Sequence, residues 1–364
     1  MSSISSLERF LATSRTSLHL KVFDRLSAAD VVRLSKTSTL IRDALKIYKE
    51  RKWNIDEFLA CWFEDGQSFR ATMALAGAVI SGSQALRFMD RLGPAPRSDL
   101  DVVTRVGGVL ALARYIESQG YKRVERPAQP GDKYPLITDV LSMTSSSRFC
   151  SGGGRDGIVE IFDFERPTWG VLNQFTPTLK VQIIAVTQNP VHHLIYTPTT
   201  PVRIGFRSYC KLANLWFLVQ PTALVMNYLS HKEAVSIFPR ATFLEKTAYP
   251  SSRPNLGSEW DSAWKIKYKR RGYRVVTDNS APSLVLGERH SKDGQCWIIP
   301  FSKSQRAVTA REEARSQYKE GSDAKEAFEL SLLHEKGKGD KVRYRLGVFE
   351  PEVWGYLYPW YILQ

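Results

Sequence analysis

Apolar positions change their period several times along this chain. From residue 18 to residue 53 they recur at helical spacing. Val22, Phe23 and Leu26 share one face, Val31, Val32 and Leu34 a second, and Leu40, Ile41, Leu45 and Ile47 a third. Ser27 or Asp30 stands where a cap is expected. Another helix is expected over 55–75, carrying Ile55, Phe58, Leu59, Trp62 and Phe63. Ala78, Val79 and Ile80 then form a short apolar run that reads as a buried strand. Ser81, Gly82 and Ser83 make a turn, and Ala85, Leu86, Phe88 and Met89 return to helical spacing. Beyond a Gly/Pro-rich loop, Asp99 and Asp101 alternate with Leu100 and Val102, which sends both carboxylates to one face of a strand.

The pattern continues with a helix over 107–120, its inner face made of Val109, Leu112, Ala113 and Ile116 and its stop made by Gly120. Strands are expected over 158–164 and 180–186. Residues 191–221 show little periodicity, and about 195–220 reads as an insertion between the second of these strands and a helix containing Met226 and Asn227. An extended edge over 238–243, a strand over 296–301 and a charged helix over 310–334, broken near Gly321, complete the expectation. Trp354, Tyr356, Tyr358, Trp360 and Tyr361 near the end carry too much aromatic surface to stay wet, so they are expected to dock on the core.

Composition narrows the choices. With 364 residues, 43% of them hydrophobic, the chain has length for two or three domains and a true core. No apolar run is long enough to span a bilayer. Residues 1–15 read as a flexible tail, because Glu8 and Arg9 break any signal-like run. Cys61, Cys150, Cys210 and Cys296 lie far apart without a CxxC pair, which fits reduced thiols in a cytoplasmic or nuclear protein. His192 and His193 are adjacent and would face opposite ways on a strand, so no shared metal is expected there. Gly152, Gly153 and Gly154 lack the Lys-Ser/Thr ending of a Walker loop and read as a hairpin loop. The net charge of +14 and pI near 9.6 favour polyanions. Lys265, Lys267, Lys269, Arg270, Arg271 and Arg274 surround Trp264, Tyr268 and Tyr273; this suits either an exposed strand with its aromatics inward or a nucleic-acid surface.

The chemistry centres on residues 77–104. Small residues at a strand-to-helix turn let backbone N–H groups approach an anion. Two carboxylates one residue apart suit Mg²⁺ bridged to phosphates. The order of apolar run, Gly82-Ser83, spacer and Asp99-Leu100-Asp101 resembles the signature of the nucleotidyltransferase superfamily with the polymerase-beta-type fold, with a slightly longer spacer. The resemblance implies that Asp99 and Asp101 hold Mg²⁺ and that Gly82 and Ser83 cradle a nucleotide. It also implies a third group, supplied by Glu160 or Asp163 on one strand or by the neutral Gln182 on the other. An acceptor hydroxyl would then attack the alpha-phosphate and release pyrophosphate.

Residues 16–54 resemble the F-box. The likeness rests on Leu18, Val22, Phe23, Leu26, Asp30, Val31, Leu34, Ser38, Ile41 and Trp53, with Leu18-His19 where the family usually has Leu-Pro. It implies binding to the Skp-type adaptor of cullin ubiquitin ligases through Leu18, Val22, Phe23, Leu26, Leu34 and Ile41. The expected fold is therefore α+β, with an F-box-like helical module over 16–54, a connector helix over 55–75, a nucleotidyltransferase-like mixed-sheet core over 76–245 and a basic α+β extension over 246–364. Two functions follow. One is an adaptor whose core recognises a client without chemistry; the other is a Mg²⁺-dependent nucleotidyltransferase. A weaker third is nucleic-acid binding through the basic region.

Overall fold

The computed structural model describes residues 5–13, 18–124, 158–167, 178–186, 189–196, 224, 226–249, 265–276, 284, 287–317, 327–335 and 341–348. Four helices open the fold: α1 (Ser6–Thr13), α2 (Leu18–Arg25), α3 (Ala28–Leu34) and α4 (Thr39–Lys52). Ser27 caps α3 by accepting from the Asp30 N–H, and Ser38 caps α4 by accepting from the Ile41 N–H. Their apolar faces close on a small core of Leu11, Phe23, Val31, Ile41, Leu45 and Tyr48. The expected flexible tail is thus corrected. Residues 6–13 are helical, and the buried Leu11 anchors them to this core.

The connector is two helices, α5 (Ile55–Leu59) and α6 (Gly66–Ala76), rather than one. Asn54 caps the first and Asp65 the second. Asp65 accepts from the N–H groups of Gln67 and Ser68, which starts a new helix instead of continuing the old one. From there the chain enters β1 (Val79–Ser81), α7 (Gly82–Met89), β2 (Leu100–Arg105), α8 (Val109–Ser118) and β3 (Lys122–Arg123). Next come β4 (Ile158–Pro167), β5 (Thr178–Val186), α9 (Pro190–Tyr196), β6 (Asn227–Leu229) and β7 (Glu233–Ser236). β8 (Thr247–Ala248), α10 (265–270), β9 (Arg274–Val275), β10 (Gly287–His290), β11 (Trp297–Pro300), α11 (Gln305–Gln317), β12 (Ala327–Glu335) and β13 (Lys341–Val348) follow.

One sheet of eight strands runs β11-β7-β6-β1-β2-β5-β4-β3. Its pairs are antiparallel except β2 with β5. Alternation gives it two faces. Ile80, Val102, Val181, Ile183, Phe162 and Phe164 pack with Leu86 and Phe88 of α7 and Leu112 and Ile116 of α8. Val79, Val103, Ile184, Val186, Tyr228 and Val235 pack with Leu194 of α9 on the other side. β10, β12 and β13 make a separate three-stranded sheet, and β8 pairs with β9.

Several expectations are corrected. Residues 227–229 are a strand between β1 and β7, not a helix, because Leu229 pairs with Ile80. His192 and His193 lie on α9, both buried, not on a strand. Residues 240–244 coil into one helical turn where an extended edge was expected. Residues 265–270 are helical, and 327–335 are a strand. The core sheet does not end at residue 245, since its edge strand β11 comes from 297–300. The triple glycine, most of the 195–220 stretch and the terminal aromatics fall outside the described residues. Among the described residues no helix is long and apolar enough to cross a membrane.

Candidate functional site

The site begins where β1 becomes α7. Gly82 has φ +71°, and a Cβ placed on it would lie 2.2 Å from Asp101 Oδ2. Glycine is therefore required twice, by the left-handed backbone and by the carboxylate against it. Ser81, the residue before α7, makes no side-chain cap to the helix. That leaves the first-turn N–H groups of α7 without the side-chain acceptor that usually occupies them.

Strand register then assembles the polar groups. Ser81 pairs with Asp101, Asp101 with Gln182, and Gln182 with Asp163. Paired residues share a face, so this rung sets Asp101, Gln182 and Asp163 side by side across β2, β5 and β4. Gln182 Nε2 donates to Asp163 Oδ1 at 2.6 Å, which fixes both side chains. On the same face Lys180 pairs with Glu165 and forms a 2.6 Å ion pair with it. Glu160, in contrast, pairs with Ala185 and lies off the rung. Of the alternatives for a third group, the register brings Asp163 and Gln182 to Asp101 and leaves Glu160 elsewhere.

The loop that delivers Asp99 is held from α7. Ser83, 7% exposed, has its Oγ 2.8 Å from Ser98 Oγ, so its hydroxyl is engaged with the loop rather than presented to a ligand. Gln84 Nε2 donates to the carbonyls of Ala95 and Ser98 at 2.9 and 3.0 Å, and its Oε1 accepts from the Ala95 N–H at 3.3 Å. The sequence pattern does not single out Gln84. Its signal is a polar side chain on the apolar face of a short helix, where burial demands partners.

Electrostatics single out the acids. Burial pushes Asp101 up to about 7; Asp99 and Asp163 add to the shift and Lys267 opposes it. Asp99 is also raised, first by burial and then by Asp163 and Glu165, against Lys180 and Lys267. Lys267, on α10, is held low by burial and by Arg271, with Asp101 and Asp99 pulling it back. Among the described residues no three His, Cys, Asp or Glu side chains stand as a ready metal cage. Asp99, Asp101 and Asp163 nevertheless lie within one another's field.

In the helical module, Phe23 and Ile41 face the module's own core, while Leu26 and Leu34 are partly buried against it. Val22 is 39% exposed. Leu18 begins α2. The module is tied to the core by Arg91, which follows α7 with φ +60°. Its guanidinium donates to Phe23 O at 3.2 Å, Tyr48 Oη at 3.0 Å and Leu26 O at 2.5 Å. Trp53 adds a bond from Nε1 to Met89 O at 3.1 Å.

Comparison with protein-family models, with curated proteins and with solved structures finds no match for this chain.

Proposed function

We propose that the core is a Mg²⁺-dependent nucleotidyltransferase, binding a nucleoside triphosphate beside Asp99 and Asp101 and moving its nucleotidyl group onto an acceptor hydroxyl. The observation that carries this reading is the Asp101–Gln182–Asp163 rung, set against Gly82 at the start of α7. The chemistry of the pair suits a hard cation: Asp99 and Asp101 offer carboxylate oxygen only, and their burial beside one another and Asp163 favours added positive charge. Asp99 and Asp101 would hold Mg²⁺, which when bound would supply charge neutralisation at the transferring phosphate. Gly82 keeps clear the space beside the Asp101 carboxylate, and the α7 N–H groups suit phosphate oxygens. Lys180 and Lys267 supply cations at the rim of the acids. Gln182 orients Asp163. In the reaction the acceptor hydroxyl loses its proton to solvent and its oxygen forms a bond to the alpha-phosphorus as the bond to pyrophosphate breaks and pyrophosphate leaves.

Calorimetry of a nucleoside triphosphate with Mg²⁺ or Mn²⁺ tests this on wild type and on D99N/D101N. Metal-dependent binding that the double variant loses, at unchanged circular dichroism, supports the reading. A folded wild type that binds no nucleotide refutes it.

A second reading is favoured by exposed apolar side chains on the helical module, among them Val22 at 39%, Leu40 at 39% and Ile47 at 55%. In it, the F-box-like module docks on an Skp-type adaptor and the core recognises a client. Co-purification of the full chain with that adaptor, lost in Ile47→Glu, is the outcome it requires.

A further inference from the structure

Beside the acids, α10 ends in a dense group of cations. Lys269, Arg270, Arg271 and Arg274 are all exposed, and among the described residues none of them makes an ion pair. The geometry here is fixed. Gly272, at φ +84°, donates its N–H to Lys269 O at 2.9 Å, and Tyr273 N–H reaches back to Tyr268 O at 3.0 Å. That pairing is a Schellman stop, so the cations sit on a locked turn. Tyr268 and Tyr273 are buried and pack edge to face, 6.1 Å between ring centroids, which anchors the turn in the main core.

The helix C-terminus accounts for some attraction to cations, but not for Arg87. Arg87 projects from α7, is held low by burial and by Arg271, and spends its Nε on Gly93 O at 2.8 Å. Two elements distant in sequence thus bring cations into each other's field. Like charges placed this way repel, and an anion between them reverses the sign.

We infer that Arg87, Lys269, Arg270, Arg271 and Arg274 form a surface for the phosphate backbone of single-stranded nucleic acid, running up to Asp99 and Asp101 by way of Lys267. The inference rests on the nucleotidyltransferase reading for one point only: it names a polynucleotide as the acceptor. Charge complementarity selects the occupant. The chain carries a net +14, and on α10 Lys267 lies in the field of both Arg271 and the two acids. A strand can follow such an edge and pass the carboxylates, whereas a flat anionic membrane would press against them. With both tyrosines buried, recognition goes to phosphates rather than to stacked bases, so sequence preference is weak.

The test is fluorescence anisotropy of a labelled single-stranded RNA against the full chain in EDTA, over a salt series. Wild type should bind, with log affinity falling linearly in log salt. R270Q/R271Q should lose affinity roughly tenfold or more and flatten the slope by about 1.4, at about 0.7 for each phosphate no longer neutralised. K36Q/K303Q, exposed and removing the same charge elsewhere, should change neither. No binding by wild type, equal losses in both variants, or sedimentation with phosphatidylserine vesicles in place of RNA binding each overturns the inference. Because EDTA removes divalent metal, failure of the nucleotide reading leaves this result standing, and loss of RNA binding leaves the calorimetry standing.

Discussion

The α carbon of Gly82 rests against the carboxylate of Asp101, so close that a side chain there would put its first carbon 2.2 Å from Oδ2. Gly82→Ala therefore imposes two penalties. The left-handed backbone at φ +71° costs about 1–2 kcal/mol with a Cβ present. Asp101 must also rotate away, which disrupts the acid rung. The expected outcome is a modest fall in urea midpoint together with complete loss of metal-dependent nucleotide binding.

Asp101 makes stability depend on pH with a defined sign. Its carboxyl is raised from the ordinary 3.8 to about 7, so the folded state holds its proton more tightly than the unfolded state. This contribution favours the fold at low pH and is lost as pH rises from about 4 to about 7. The loss is on the order of 2–4 kcal/mol before solvent screening reduces it. Asp99, also raised, acts in the same direction. Urea denaturation in metal-free buffer should show D101N gaining on wild type at pH 8 but not at pH 4, and Mg²⁺ should narrow the gap.

Arg91 is expected to govern the seating of the helical module. Arg91→Met leaves the Leu26 carbonyl without its donor and the Phe23 carbonyl with only the Leu26 N–H, at a cost of about 1–3 kcal/mol. Amide exchange should quicken in α2 and α4 while the main sheet keeps its protection. Equal acceleration in the sheet would contradict a local role.

Arg70 of α6 is buried and joins α5 to the loops at His231 and Ser302. It forms an ion pair with Asp56 at 2.9 Å and donates to His231 O at 3.0 Å and Ser302 O at 2.8 Å. Asp56→Ala removes the counter-charge of this buried arginine, 1% exposed, and leaves it the two carbonyls alone, which should cost about 3 kcal/mol in denaturant unfolding. Arg70→Lys should be nearly as damaging, because one ammonium cannot span the three partners that the planar fork reaches.

Much of the local structure was legible. The Ala78–Ile80 run, the glycine turn and the Asp99/Asp101 alternation became β1, α7 and β2 because their cues are local. Register was not legible. Nothing in the residues around Asp163 says that they align with Gln182 and Asp101, since the pairing is decided by the whole sheet. Asn227–Leu229 shows how a short apolar run hides its type: a partner strand, Val79–Ser81, decided it. At 265–270 the alternating lysines suggested a strand, but Gly272 was the stop signal of a helix.

The placement of β11 outside β7 has a consequence for biosynthesis. As the chain leaves the ribosome, β7 emerges well before Trp297–Pro300 can cover its outer edge. Until then its ladder of N–H and C=O groups is open to any passing strand. The nascent protein therefore spends part of its synthesis with a sticky margin, and a fragment cut at residue 245 would keep that margin permanently.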